Sequence, residues 1–154
     1  MGFATRVAAL ADRRFKWLGS RGYTAAVFPE LVRLRAPRTV VQLDDRTLDE
    51  PLVLAFVCNA RYLGGGMDAA PMAQPDDGQL ELVALRAVGR VELLRIFPKI
   101  FKGAHVGHPR VLVERARRVR IEPATREPLL GDGEVFGETP AEIEAMPGAL
   151  RVLV

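Results

Sequence analysis

Leu52–Cys58 reads LVLAFVC, an apolar run without a single polar interruption, and it restricts the possible folds more than any other stretch. A run this short cannot cross a bilayer, because a membrane-spanning helix needs about 18 or more apolar residues. It also shows no alternation of apolar and polar residues, which a strand with one wet face would show. We therefore expect a central strand that is buried on both faces.

The elements around this run follow an order that is typical of an α+β protein. Helical spacing predicts helices over residues 7–18 and 23–34, with Pro29 kinking or restarting the second. A similar pattern predicts one inserted helix over 91–102, with Pro98 as a kink and with residues 93, 94, 97, 100 and 101 on one apolar face. Further strands are predicted over 39–43, 80–85, 111–114, 119–122 and 149–154. We predict an α+β fold, mainly an antiparallel β-sandwich with N-terminal helices and one inserted helix.

The length of 154 residues suits one domain. We expect residues 1–36 to form a helical segment that leads into a β-rich domain over 37–154.

The lone Cys58 excludes an internal disulfide framework, and His105 with His108 is a weak signal for a metal site. Because the N-terminus carries early charges and no run could span a bilayer, we expect a cytoplasmic protein, with peripheral attachment to a membrane as a further option.

Basic and acidic residues alternate in blocks along the chain. Residues 1–40 hold eight Lys/Arg against two acids, and residues 86–120 hold ten against two, whereas the blocks 41–81 and 122–154 are acidic. If the basic blocks share one face, that face would attract an anionic membrane surface; charges balanced across the fold are the alternative. Aromatic residues make up only 6% of the chain and do not interleave the basic tract at 115–120, so we expect no nucleic-acid partner.

Two turn motifs bring carboxylates together. Pro75-Asp76-Asp77-Gly78 is a strong β-turn signal, and the Asp77 carboxylate with nearby carbonyl oxygens would also suit Mg²⁺ or Ca²⁺. In Gly131–Glu134 (GDGE), Asp132 and Glu134 stand two residues apart. Neighbouring carboxylates can raise one pKa and create a base for a hydroxyl group, but the same residues also suit an Asp-Gly hairpin turn.

The segment Asn59–Gly66 (NARYLGGG) follows the apolar run and contains three consecutive glycines. It matches neither GxGxxG nor the Walker-type GxxxxGK[ST], so the sequence does not support a phosphate cradle. We interpret it as a tight turn that packs against the core, and a role in shaping a substrate cleft stays open.

Taken in series, these motifs resemble the C-terminal domain of bacterial diacylglycerol-kinase-like lipid kinases, a group with sphingosine kinase and ceramide kinase relatives. The segments that carry the resemblance are NARYLGGGM, PDDGQLELV, VELLRIFPKIFKGAH, RARRVRIE, LLGDGEVFGETP and the closing PGALRVLV. The resemblance covers nearly the whole chain and keeps the motifs in order. It implies a β-rich sandwich that contributes acids to an active site shared with a second, nucleotide-binding domain.

The resemblance also implies roles for individual residues. Glu134 would accept the proton of a lipid hydroxyl such as that of diacylglycerol, with Asp132 beside it. Mg²⁺ would lie at the PDDG loop, held by the Asp77 carboxylate and by main-chain oxygens of Gln74 and Gln79. These are expectations carried over from the family onto matching positions of this sequence.

The family's Gly-Gly-Asp-Gly-Thr nucleotide loop is not present in this sequence. ATP, the co-substrate in the family, would therefore be bound mainly by a separate nucleotide-binding domain. We expect the C-terminal, lipid-substrate half of an ATP- and Mg-dependent lipid kinase that is inactive without that domain. The alternative is a non-catalytic module that binds lipid or a membrane surface.

Overall fold

The computed structural model describes residues 1–15, 17, 20–132 and 134–150, and only the backbone of residues 20–24. The chain begins with helices α1 (Phe3–Arg14) and α2 (Ser20–Val32), and α2 continues through Pro29. Helix α1 starts before the predicted position because Phe3 and Val7 are both buried against the sheet. Gly2 allows this start, since at its φ of 85° an added Cβ would lie 2.5 Å from the Val53 carbonyl oxygen.

Six of the described strands form one antiparallel sheet in the order β10-β7-β1-β2-β5-β6. The pairs β3–β4 and β8–β9 form two small sheets of their own. The antiparallel sheets, together with the helices, confirm the predicted α+β fold. The strands are β1 (Arg38–Leu43), β2 (Arg46–Cys58), β3 (Tyr62–Leu63), β4 (Met67–Asp68), β5 (Leu80–Arg86), β6 (Val111–Ala116), β7 (Arg118–Pro123), β8 (Pro128–Gly131), β9 (Glu134–Glu138) and β10 (Ala141–Glu144).

Strand β2 joins the two halves of the sandwich. Its first half pairs with β1 and its second half with β5, and the register shifts between Leu52 and Leu54. Such an irregularity bends a strand and lets one strand serve both halves. Side chains from β1, β5 and β7, including Leu43, Leu82 and Ile121, meet in one buried cluster between the halves. The predicted position of the apolar run at the centre of the sheet is confirmed.

The inserted helix consists of two geometries. Helix α3 (Arg90–Ile96) continues as a 3₁₀ helix over Phe97–Lys102, and the change falls next to Pro98. Leu93 is buried as predicted, but Leu94 is 42% exposed and Phe101 is 47% exposed, so the predicted apolar face was too wide. The different twist of the 3₁₀ segment moves Phe101 out of line with the α-helical stripe.

Two further predictions concern the glycine-rich turn after β3 and the C-terminal end of the chain. The three glycines form a 3₁₀ turn over Gly64–Gly66 between β3 and β4. An added Cβ at Gly64 or Gly66 would meet nothing within 4 Å, so these glycines do not themselves pack against the core, whereas Leu63 of the same segment does. For the predicted strand over 149–154, Ala149 and Leu150 are not in a strand, and 151–154 lie outside the described residues.

None of the helices in the described part of the chain combines the length and the apolar character that a membrane span requires. The proposed boundary near residue 37 stays a prediction.

Candidate functional site

The GDGE segment forms the tip of a β-hairpin. Strands β8 and β9 pair with Gly131 opposite Glu134, which leaves Asp132 and residue 133 as the connection. Asp132 has a φ of 50°, a left-handed conformation that aspartate tolerates better than most residues. The hairpin-turn interpretation of this segment is therefore confirmed by the residues on either side of position 133, which itself lies outside the described residues.

Both carboxylates of the hairpin tip are exposed to solvent. Within the described part of the chain, neither the Asp132 nor the Glu134 side chain forms an ion pair or a hydrogen bond. On the same hairpin, Val135 is 56% exposed and Phe136 is 68% exposed. A free carboxylate beside an uncovered apolar surface can accept a proton from a group that approaches from outside.

The PDDG loop forms the predicted turn and fixes the Asp77 carboxylate. Its Oδ1 accepts a hydrogen bond from the Gln79 main-chain N–H at 2.9 Å, and its Oδ2 lies 3.1 Å from Arg115 Nη2. Gln74 is exposed and Gln79 is half-buried. The loop thus offers one carboxylate and several carbonyl oxygens, which are hard donors that fit Mg²⁺.

The structure does not bring the two acidic turns into direct contact. Among the described residues, no hydrogen bond or ion pair joins Asp132 or Glu134 to Asp77. Nor does any group of three or more His, Cys, Asp or Glu side chains there gather in a way that could hold a metal. A metal at the loop would therefore depend on Asp77, on main-chain oxygens and on water.

The imidazoles of His105 and His108 both form hydrogen bonds with main-chain atoms. The buried His105 donates from Nε2 to the Ala69 carbonyl at 3.0 Å, while His108 Nδ1 accepts the Arg110 main-chain N–H at 3.2 Å. Burial lowers the pKa of His105, against smaller opposing effects of the Ala69 carbonyl and the nearby Asp68 carboxylate.

Sequence reasoning missed a groove between the two N-terminal helices. It has a volume of about 440 Å³ and an apolar floor that includes Leu10, Phe15 and Val32. Arg13, Arg14 and Arg33 also line it. The excess of Lys and Arg over residues 1–40 was the only signal of this feature.

A buried carboxylate, Glu127, was also missed. It lies directly before β8, with a side chain that is 0% exposed, and it binds Arg6 from α1 and Arg35 from the segment after α2. Its neighbours in sequence are ordinary loop residues. No sequence signal marked this position.

The fold is therefore a β-sandwich-like domain of antiparallel strands that carries an acidic hairpin. The family described as the YegS C-terminal NAD kinase beta sandwich-like domain matches residues 1–154. This chain belongs to that family.

Two named relatives confirm the resemblance to diacylglycerol-kinase-like lipid kinases. A diacylglycerol kinase of Mycobacterium tuberculosis is 39% identical over 155 residues, which cover 99% of this chain and 49% of the relative. Human sphingosine kinase 2 is 36% identical over 106 residues, covering 66% of this chain and 16% of the relative. The chain spans about half the length of the diacylglycerol kinases it matches.

A solved structure from Bacillus anthracis strain Sterne, assigned as a diacylglycerol kinase, superposes with a TM-score of 0.68. It is 22% identical and covers 90% of this chain and 45% of that chain. At this identity the likeness establishes the fold alone.

Proposed function

We propose that this chain is the lipid-substrate half of an ATP- and Mg-dependent lipid kinase that phosphorylates a lipid hydroxyl such as that of diacylglycerol. The observation that carries the proposal is the exposed, unpaired Glu134 carboxylate at the tip of the β8–β9 hairpin. The names of the relatives, diacylglycerol kinase and sphingosine kinase, supply the reaction class. A separate nucleotide-binding domain would complete the site and would bind ATP.

In this reaction the lipid hydroxyl oxygen forms a bond to the γ-phosphorus of ATP while the bond to the β–γ bridging oxygen breaks and ADP leaves. Glu134 accepts the hydroxyl proton as the oxygen attacks.

Asp77, together with main-chain oxygens of Gln74 and Gln79, would hold Mg²⁺. When bound, the ion would supply positive charge at the PDDG loop. Calorimetric titration with Mg²⁺ tests this role: Asp77→Asn should abolish binding, whereas Asp76→Asn, a change to the exposed neighbour in the same turn, should leave it intact. Equal binding by both variants would remove Asp77 from the metal site.

The kinase proposal is tested by complementation. The chain is mixed with the separately expressed nucleotide-binding domain of a relative, radiolabelled ATP, Mg²⁺ and diacylglycerol micelles. Labelled phosphatidate should form only when both proteins are present. Glu134→Gln should lower the rate by about 10²- to 10⁴-fold, the usual contribution of a general base.

Glu138→Gln is the matched control, because Glu138 lies on the same strand, is exposed and has only a 4.0 Å contact with Arg126. It should retain full activity. Full activity of Glu134→Gln would show that another group accepts the proton.

A second candidate function, attachment to an anionic membrane surface, is favoured by one particular patch. Arg90 donates from Nε and Nη2 to the carbonyl oxygens of Leu31 and Val32, at 3.0 and 2.9 Å, which joins the end of α2 to the start of α3. Both helices and the groove also carry exposed apolar and basic side chains. We call this the basic–apolar surface: Arg13, Arg14, Phe28, Val32, Arg33, Val91, Leu94 and Arg95.

Co-sedimentation with vesicles tests this surface. Binding should rise with the fraction of anionic lipid and fall with salt. Replacing both Arg14 and Arg33 by Gln should weaken binding about 25-fold, since one basic residue near an anionic surface contributes about fivefold. The paired control Arg38→Gln with Arg126→Gln removes the same charge from strand and loop positions and should have a smaller effect. An equal loss in both double variants would mean that only net charge matters.

A further inference from the structure

Glu127 forms the base of the hairpin that carries Glu134. The Thr139 main-chain N–H donates to the Glu127 carbonyl oxygen at 2.9 Å, and the Glu127 N–H donates to Thr139 Oγ1 at the same distance. Glu127 lies directly before β8 and Thr139 directly after β9, so this pair closes the end of the hairpin that is joined to the rest of the fold. The tip with Asp132 and Glu134 lies at the opposite end.

The side chain of Glu127 connects this base to the N-terminal helices. Arg6 Nη1 donates to both carboxylate oxygens, at 3.0 and 2.8 Å, and Arg35 Nη2 donates to Oε1 at 3.0 Å. Arg6 also binds Glu30 of α2 at 3.3 Å. The cluster therefore holds two positive and two negative charges, and this balance, together with the multiple hydrogen bonds, makes a fully buried carboxylate tolerable.

Outside this cluster, the hairpin meets the rest of the fold mainly through β8, which contacts α1 and the main core. It forms a sheet of only two strands, an arrangement that is marginal on its own in water. Leu129 enters the main core, but Val135 and Phe136 are exposed. The four residues of β8 span about 13 Å, so a tilt of about 5° at the base would move the tip by about 1 Å, enough to cost a reaction about 100-fold.

We propose that Glu127 is a positioning residue, which sets the orientation of Glu134 by tying the hairpin base to α1 and to the segment after α2. This inference rests on the proposed function, because it assigns Glu127 its importance through the proton acceptor at the hairpin tip. It also links the helices that line the apolar groove to the geometry of the reacting groups.

Arg35→Gln is the variant that tests this link most cleanly. The Arg35 side chain is 56% exposed, so its removal weakens the anchor while Arg6 still pairs with Glu127. Hydrogen exchange measured on the chain alone should show amides of β9 exchanging about tenfold faster, with β5 unchanged. Arg35→Lys should restore slow exchange, because the lysine ammonium can still pair with the carboxylate.

Arg38→Gln is the matched control. It makes the same change three positions away, in an exposed pair with Asp49 that does not touch the hairpin. It should leave exchange in β9 at the wild-type rate. Unchanged exchange in Arg35→Gln, or equal acceleration in β5, would overturn the anchoring role.

The complemented kinase supplies the second readout. Arg35→Gln should lower kcat by about 10- to 100-fold and leave the KM for ATP unchanged, since the nucleotide is bound elsewhere. Glu127→Gln, which keeps the shape of the side chain, should give a larger loss of the same kind. Faster exchange in β9 with an unchanged kcat would refute the positioning role. Wild-type chain without activity would refute the proposed kinase function, while the exchange result would still decide whether Glu127 anchors the hairpin.

Discussion

Arg115 lies with its Nη2 atom 3.1 Å from Oδ2 of Asp77, at the edge of the PDDG loop. The same guanidinium donates from Nε to the buried Glu81 at 2.8 Å, and this bond is the main reason that the pKa of Arg115 is raised. The carboxylate with the proposed metal role is therefore already next to a permanent positive charge. A divalent cation at Asp77 would experience repulsion from Arg115.

The first expectation follows from this repulsion. Arg115→Gln should bind Mg²⁺ about 30-fold more tightly than the wild type, since one unit charge about 4 Å from a doubly charged ion costs about 2 kcal/mol in water-like surroundings. The measurement is calorimetric titration of the folded protein, with circular dichroism to check that the loss of the Glu81 partner has not unfolded it. Arg117→Gln removes a charge outside this contact and should bind as the wild type does. Weaker binding by Arg115→Gln would mean that the arginine helps to shape the loop.

A second expectation concerns pH and His105. Its Nε2 is bonded to Ala69, and its buried Nδ1 has no partner among the described residues, so the imidazole is held neutral. Burial lowers its pKa below the ordinary 6.5. The unfolded chain therefore binds this proton at a higher pH than the folded chain. The stabilisation is complete above pH 6.5 and is lost as the pH falls towards the folded pKa, by about 1.4 kcal/mol for each unit of difference.

Urea denaturation at pH 7.5 and pH 5.5 measures this loss. His105→Gln should show a smaller drop than the wild type. The amino group of Met1, whose pKa burial lowers to about 6, titrates in the same range in both proteins, so only their difference reports on His105. Parallel curves for His105→Gln and the wild type would mean that the buried imidazole does not oppose protonation.

The sequence predicted the elements that local patterns determine. The apolar run at 52–58 predicted the buried half of β2. Strands β3 and β4 are two residues each and carry too little pattern to be recognised. Leu94 is exposed although helical spacing placed it on the apolar face, because periodicity does not indicate how wide a face the rest of the fold covers.

The sequence predicted the two acidic turns of the candidate site but not the long-range contacts that hold its residues in place. Both acidic turns were located from glycine and aspartate chemistry. Glu127, however, meets Arg6 across 121 positions of sequence and Arg35 across 92, so no local pattern could reveal the cluster. Arg115 was considered only as part of the basic tract at 115–120, because its contact with Asp77 depends on the register between β5 and β6.

A third expectation concerns Cys58, the only cysteine of the chain. It is buried at the end of β2, and burial together with the nearby Glu81 raises the pKa of its thiol to about 11. The thiolate is the reactive form, so at pH 7.5 the native protein should react with a thiol reagent at least about 100-fold more slowly than free cysteine. Absorbance at the release of the reagent's leaving group follows the rate. Addition of urea should restore rapid reaction, and rapid reaction without urea would indicate that the end of β2 opens locally.

The last expectation compares two neighbouring leucines of α3. Leu93 is 2% exposed and lies in the cluster with Phe3 and Val27, whereas Leu94 is 42% exposed. Leu93→Ala removes buried methyl groups and leaves a cavity, so it should lower the free energy of unfolding by about 2–5 kcal/mol. Leu94→Ala makes the same chemical change at the surface and should cost less than about 1 kcal/mol.

Urea denaturation of both variants provides the first measurement, and vesicle co-sedimentation provides the second. Because Leu94 belongs to the basic–apolar surface, Leu94→Ala should weaken vesicle binding about fourfold, the contribution of about one buried methylene of apolar contact. The two properties should therefore separate, with stability following Leu93 and membrane attachment following Leu94. Equal destabilisation by the two variants would show that α3 buries both leucines in solution, and unchanged vesicle binding by Leu94→Ala would place the membrane contact elsewhere on the molecule.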